Sequence, residues 1–486
     1  MQVLNRTTAY KTKIRPLKIM QFGGGNFLRA FVDYMVEILN DETDFNGDIV
    51  VVKPTEHGDY SALKSQDGLF HVVLDGIMDK KPVIEKRLVS SVAQIINAYT
   101  EWEDYLALAK NPTLRFIVSN TTEAGIKFNP QDRFDDAPPE EFPAKLTFWL
   151  YQRFEHFKGD PAKGCILLPC ELIEDNGATL KKTVLQYAAH WNLPEAFIHW
   201  IQTANYFCGT LVDRIVSGYP SDRALSIQSE LGYEDKLLVA GEYYHSWVIQ
   251  GPAFVAEELP FSKTTLNVSF VDDLVPYREM KVRILNGAHT AMVPMAYLAG
   301  CRLVSEAMED YVIRSFVTSL LLEETITTLN FTESVLQKFV NDVLDRFKNP
   351  VLKHQLISIS LNTTTKFVAR LLPTLKDYQR QQGTLPKRIV LGLACLIRFY
   401  KGEFNGEPIP VNDNPEVVKF FREAWQNAVG PDYPLETMVQ YILKNTAIWG
   451  EDLTSIKGLR EMVTWYLMSI ENNGIEQTIE TVLKKA

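Results

Sequence analysis

The apolar residues of this chain keep two different periods, and the change from one to the other comes near residue 275. Before it, short β-branched runs alternate with amphipathic segments. PLKIMQF (16–22), DIVVVK (48–53), LRFIVSN (114–120) and GCILLPC (164–170) have the length and continuity of strands buried on both faces. LFHVVLDGI (69–77) alternates and reads as an added strand, while 93–109 and 143–157 read as helices. This alternation predicts an α/β unit, a mostly parallel sheet with helices on both faces. After the strand-like NVSFVDD (267–273), helical spacing takes over at 309–328, 333–346, 350–372, 386–400, 415–428, 436–444 and 456–471. The second region, 275–486, is therefore expected to be all-helical.

The chain has 486 residues, enough for one to three domains, and its 46% hydrophobic and 23% charged content is that of a globular protein without membrane spans. A formal net charge of −10 argues against nucleic acid as a partner but allows a locally basic pocket for a small acid. The five cysteines (Cys165, Cys170, Cys208, Cys301 and Cys395) are odd in number and widely spaced, which suggests reduced thiols in the cytoplasm. No pair has zinc-ligand spacing and the eight histidines are scattered, so no metal is expected. The basic N-terminus lacks an apolar core, and no secretory signal or membrane span is read. RFDDAPPEEFP (133–143) reads as a surface loop. Oligomeric state is not legible.

Two motifs carry chemistry. Gly23, Gly24 and Gly25 follow the first strand at once, and helical periodicity begins at Asn26. A strand, a glycine turn and a helix N-terminus let backbone approach a pyrophosphate, so Gly23, Gly24, Gly25, Asn26 and Phe27 are candidate dinucleotide-binding residues. The third glycine of G-x-G-x-x-G is replaced by Leu28, and a plain turn between core elements explains the motif about as well. The second motif is KVRILNGAH, with Lys281, Asn286 and His289. On a regular helix these stand at roughly 0°, 140° and 80° around the axis and can line one wall. A lysine can exchange a proton with an alcohol or ketone oxygen, an amide can donate to that oxygen, and a histidine can orient the substrate. Such a set suits hydride transfer between alcohol and ketone if a nicotinamide is bound.

In a parallel sheet, ligands bind beyond the carboxyl ends of the strands, where the turns 23–26, 53–57 and 120–125 fall. Glu56 can accept from adenosine ribose hydroxyls, favouring NAD, whereas Lys53 can meet a 2′-phosphate. Asn120 and Glu123 are candidates for the nicotinamide half. Tyr277 and Lys281 also make a Y-x-x-x-K pair, but the chain is too long for a short-chain dehydrogenase and lacks its glycine motif, so Tyr277 is expected to pack.

K-x-x-x-x-N-x-x-H resembles the signature of the polyol-specific long-chain (mannitol) dehydrogenases. The resemblance extends through FGGGNFLRAF (22–31), QDGLF (66–70), SNTTEAG (119–125), LVDRI (211–215) and RFKNP (346–350). It implies a Rossmann-type domain over 1–274, a helical substrate domain over 275–486, NAD as cofactor and no metal. It further implies Lys281 as general acid/base, Asn286 as oxyanion donor and His289 as an orienting group. Asp213 and Lys366 become substrate-side residues, although Asp213 beside Arg214 reads equally well as an ion pair. Within the family the chain is most similar to the subgroup that acts on keto-uronates, through GNFLRAFVD, FDDAPP, PAKLT, PCELIEDNG and KHQLISISLNTTTKF.

The departures from the polyol pattern bear on substrate. A second oxyanion asparagine is replaced by Leu172, leaving Asn286 alone or aided by Asn176. An arginine eight residues before Lys366 is Ser358, an Asp-Thr pair is His354-Gln355, and a carboxylate three residues before Lys281 is Arg278. These changes argue against a neutral hexitol and for a substrate carboxylate. Lys353, His354, Lys366 and Arg370 are the candidate cations, with His354 and Lys366 placed among the substrate-binding residues. The epimeric keto-uronate, a hexitol and a non-catalytic NAD-binding role remain as alternatives.

Overall fold

Six parallel strands build the central sheet of the N-terminal unit. They are β1 (Leu17–Phe22), β2 (Asp48–Lys53), β3 (Val92–Asn97), β4 (Phe116–Ser119), β5 (Ile166–Pro169) and β6 (Tyr206–Phe207). Their spatial order is β3-β2-β1-β4-β5-β6. Alternate side chains enter two cores. Met20, Phe22, Val50, Val52, Ile117 and Leu167 pack with Leu146, Trp149 and Leu150 of the helix Phe142–Phe157. Ile19, Ile49, Val51, Val118, Ile166 and Leu168 pack with Phe31, Met35 and Leu39 on the other side. Full burial of such side chains is worth about 1.5–3 kcal/mol each, which is why β-branched runs rather than alternating ones occupy these positions. The strand order reverses between β1 and β4, so the loops leaving Phe22 and Ser119 part at the switch point where this fold binds dinucleotides.

The computed structural model describes residues 1–486 except 12, 79–80, 122–124, 405, 429–433 and 485–486. By contacts the chain divides into Met1–Gly76 with Pro82–Leu274, and Ile77–Lys81 with Val275–Ala486. The expected α/β fold class is observed, a Rossmann-like sheet domain and a helical domain. The run at 69–77 does form a strand, Phe70–Met78, but outside the central sheet. It pairs in parallel with Val239–Glu242 in a separate four-stranded sheet. A third sheet joins Gly209–Asp213, Ser246–Gln250 and Val268–Val271.

Two helical expectations are corrected. Segment 93–109 is all but the first residue of β3, followed by the helix Trp102–Ala107 and a 3₁₀ turn, Leu108–Lys110. Val92, Ile95 and Ile96 stand at i, i+3 and i+4 and so imitate a helix face. Pairing with β2, Ile49 to Val92 through Lys53 to Asn97, decides for a strand. Segment 350–372 is not one helix either. Residues 350–355 are non-helical, the short helix Leu356–Ile359 follows, and Asn362 at φ 53° separates it from Thr363–Arg370. Pro350 disfavours helical backbone at the residue before it, and Gln355 is used in a bridge to Leu303.

In the helical unit, Gly287–Leu298 is buried along its whole length, flanked by helices that include Lys387–Phe399. A Cβ on Gly392 would stand 3.3 Å from Ala291 Cβ, so glycine there permits the close crossing. Among the described residues no helix is long and apolar enough to cross a membrane, and all five cysteines carry free thiols.

Candidate active site

The glycine turn is held from both sides. Gly23 has φ +115°, a conformation that disfavours any side chain, and its N–H donates to the Val52 carbonyl at 3.0 Å. The Gly24 N–H donates to Tyr60 Oη at 2.7 Å. At Gly25 an added Cβ meets nothing within 4 Å, and the helical stretch that starts at Asn26 has no side-chain cap on its first turn. Open space in front of uncapped N–H groups fits a pyrophosphate. Asn26 accepts from Arg29 Nη2 at 2.6 Å, and Phe27 stacks on Phe31 with ring centroids 4.9 Å apart. Both residues thus shape the turn.

At the carboxyl end of β2, Glu56 lines a cavity of about 550 Å³ together with Tyr99, Asp132 and Glu141. Lys53 is buried, and its Nζ donates to the Glu56 carbonyl at 2.8 Å. It is therefore tied into the loop rather than extended toward a 2′-phosphate. At the end of β4, Asn120 donates through Nδ2 to the Cys170 carbonyl at 2.7 Å. Glu123 lies outside the described residues. The first residues of the loop after β4 are held by Glu171, which the sequence did not single out. Its carboxylate accepts from Ser119 Oγ and Thr121 N, each at 3.0 Å. Burial raises the Glu171 pKa, against the pull of these hydrogen bonds.

Asn176 is corrected as an oxyanion donor. Its Nδ2 faces the carbonyls of Pro169, Glu171 and Thr210 at 2.9–3.2 Å, and its Oδ1 accepts from Gly177 and Thr210 N–H groups. The amide is consumed in joining β5 to the following helix, while Leu172 is 65% exposed. Asp213 ends the strand Gly209–Asp213 in the same unit. The guanidinium of Arg214 goes to the carbonyls of Ala30, Tyr243 and Tyr244 and to His245.

In the helical unit, Lys281 closes the helix Val275–Lys281, Val282–Asn286 is wound as a π-helix, and Gly287–Leu298 continues the same path. The regular-helix geometry expected for 281–289 is thus corrected. A π turn takes more residues per revolution, so Asn286 and His289 come round closer to the face of Lys281 than α-helical winding allows. Such turns concentrate at functional sites. Lys281 and Asn286 are half-buried and His289 is buried. The His289 ring stacks on Phe347 and meets His354 edge-on, with centroids 5.5 Å apart.

The expected cations separate clearly. Burial, and then the charge of Arg346, lower the His354 pKa, which disfavours a charged imidazole beside His289. Lys353 is exposed. Lys366 and Arg370 are half-buried on the helix Thr363–Arg370. Tyr277 packs edge-on against Phe331 and belongs to the helical core. Arg346 and Phe347 were missed as site neighbours, although RFKNP had marked that stretch.

Family models match both parts of the chain, the mannitol dehydrogenase Rossmann domain over residues 17–263 and the mannitol dehydrogenase C-terminal domain over residues 273–471. The chain is 48% identical over 480 residues to an altronate oxidoreductase of Yersinia enterocolitica, covering 99% of each chain. It is 47% identical over 465 residues to one of Escherichia coli, covering 96% of each. Among solved structures, the Pseudomonas fluorescens mannitol 2-dehydrogenase ternary complex with NAD and D-mannitol aligns at TM-score 0.67 and 22% identity, over 100% of both chains. A D-sorbitol dehydrogenase aligns at TM-score 0.79 and 21% identity, over 98% of this chain and 100% of its own.

Proposed function

The chain belongs to the mannitol dehydrogenase family, and on that premise we propose that it interconverts tagaturonate and altronate with NAD(H) as the redox partner. The observation that carries this reading is near-complete alignment at 48% identity with a relative named for altronate. The site chemistry agrees with it. NADH, when bound, supplies a hydride to the ketone carbon. Lys281, as an ammonium, gives its proton to the ketone oxygen, so carbonyl, hydride and proton become a secondary alcohol and the amine is left neutral. Asn286 donates its amide hydrogen to the same oxygen as negative charge gathers there. His289, steadied against Phe347, fixes the substrate hydroxyls. In the oxidative direction the neutral Lys281 takes the alcohol proton. Asp213, Lys366 and His354 complete the substrate side.

The dinucleotide is assigned to Gly23, Gly24, Gly25, Asn26 and Phe27, with Glu56 at the adenosine ribose and Asn120 near the nicotinamide. The anchoring of Lys53 to the Glu56 carbonyl supports NAD over NADP. Free thiols at all five cysteines suit a reducing, cytoplasmic setting. Initial rates of NADH oxidation with tagaturonate, fructuronate and fructose test the assignment. Tagaturonate is expected to be reduced fastest, and preference for fructose would overturn the reading of an acid substrate.

A further inference from the structure

We propose that Arg370, aided by Lys366 one turn earlier, receives the carboxylate of the substrate. The inference rests on the reading that the substrate is a sugar acid, and it names the group that recognises the acid. Placement carries it first. Arg370 Nη1 donates to Thr290 Oγ1 at 3.3 Å, and Thr290 Oγ1 donates to the Asn286 carbonyl at 2.9 Å. A Cβ on Gly287 would stand 3.3 Å from Leu371 Cδ2 and 3.7 Å from the Arg370 carbonyl oxygen. The end of the helix Thr363–Arg370 therefore packs on the very turn that carries Asn286 and His289.

Charge carries it further. Among the described residues Arg370 donates to no carboxylate, and its one side-chain acceptor is the neutral Thr290 hydroxyl. Lys366 Nζ donates to the Ile359 carbonyl at 2.7 Å. Asp413, whose charge reaches Lys366, is engaged by the hydroxyls of Thr364 and Tyr400. Two half-buried cations four residues apart on one helix face repel each other and are partly stripped of water. Burial lowers both pKa values, and the Arg370 charge lowers that of Lys366 further. An anion between them relieves both costs. A planar guanidinium also offers the paired N–H geometry that a carboxylate accepts.

The test compares wild type with R370L and R370K. KM and kcat are measured for tagaturonate, with altronate affinity by calorimetry in the presence of NAD. NADH affinity and the unfolding midpoint serve as controls. R370L is expected to raise KM and the altronate Kd about 100-fold with NADH affinity unchanged, while R370K, which keeps the charge but loses the paired N–H geometry, recovers only part of the affinity. Altronate binding by R370L within threefold of wild type overturns the inference and leaves the proposed function standing. Should R370L lose its fold, the uncharged R370Q carries the same expectation. A wild type that ignores tagaturonate and reduces a neutral ketose overturns the functional reading itself, and the carboxylate assignment with it.

Discussion

The His289 ring lies over the Phe347 ring, with centroids 4.2 Å apart and planes inclined by 22°. One residue comes from the helix of the sequence motif and the other from the helix Glu333–Phe347. The stack fixes the imidazole plane, while His354 closes its edge at 83°. The orientation of the His289 ring is therefore not set by its own helix alone.

Phe347→Leu keeps the apolar volume and removes the flat surface. It is expected to lower kcat/KM about tenfold, close to the 0.5–1.5 kcal/mol attached to such ring pairs. The unfolding midpoint should move little. Steady-state kinetics beside a thermal melt check this, and unchanged kinetics would remove Phe347 from the site.

Glu56 is the predicted ribose acceptor, and the adjoining Asp132 and Glu141 make its cavity hostile to an added phosphate. Glu56→Ser is expected to raise the KM for NADH about 10- to 100-fold, in line with 1.5–3 kcal/mol for a hydrogen bond to a charged group. It should also narrow the preference over NADPH. Cofactor titrations at fixed substrate measure both effects.

The glycine turn and Lys281 were legible because each is local. One is a strand running into three glycines, the other a lysine, asparagine and histidine within one helical stretch. What escaped the sequence depends on distant pairing. Phe70–Met78 joins Val239–Glu242 across more than a hundred residues, which no local period records. Val92–Asn97 imitates a helix until β2 pairs with it. The π winding at Val282–Asn286 leaves no mark in apolar spacing, yet it changes the angle between Lys281 and Asn286. The idle-looking Asn176 is fully engaged only because Thr210 folds back onto it.

Asp33 lies buried beneath the glycine turn, and burial pushes its pKa up to about 7 against the opposing pull of Gln21 and Arg29. An acid whose folded pKa is raised favours the native state when protonated. Its contribution is present below the unfolded pKa of 3.8, is lost as pH climbs, and is gone above about 7. Asp33→Asn is therefore expected to raise the unfolding midpoint by several degrees at pH 8 and by less than half as much at pH 5. Melts at the two pH values, with a larger gain at the lower one, would contradict the sign.

The central claim is that the Lys281 amine exchanges the proton that accompanies hydride transfer. The direct measurement is turnover of tagaturonate by Lys281→Ala, with NADH affinity followed by fluorescence in the same preparation. Loss of turnover by at least a thousandfold with NADH affinity intact is the expected result. Turnover near that of the wild type would contradict the account.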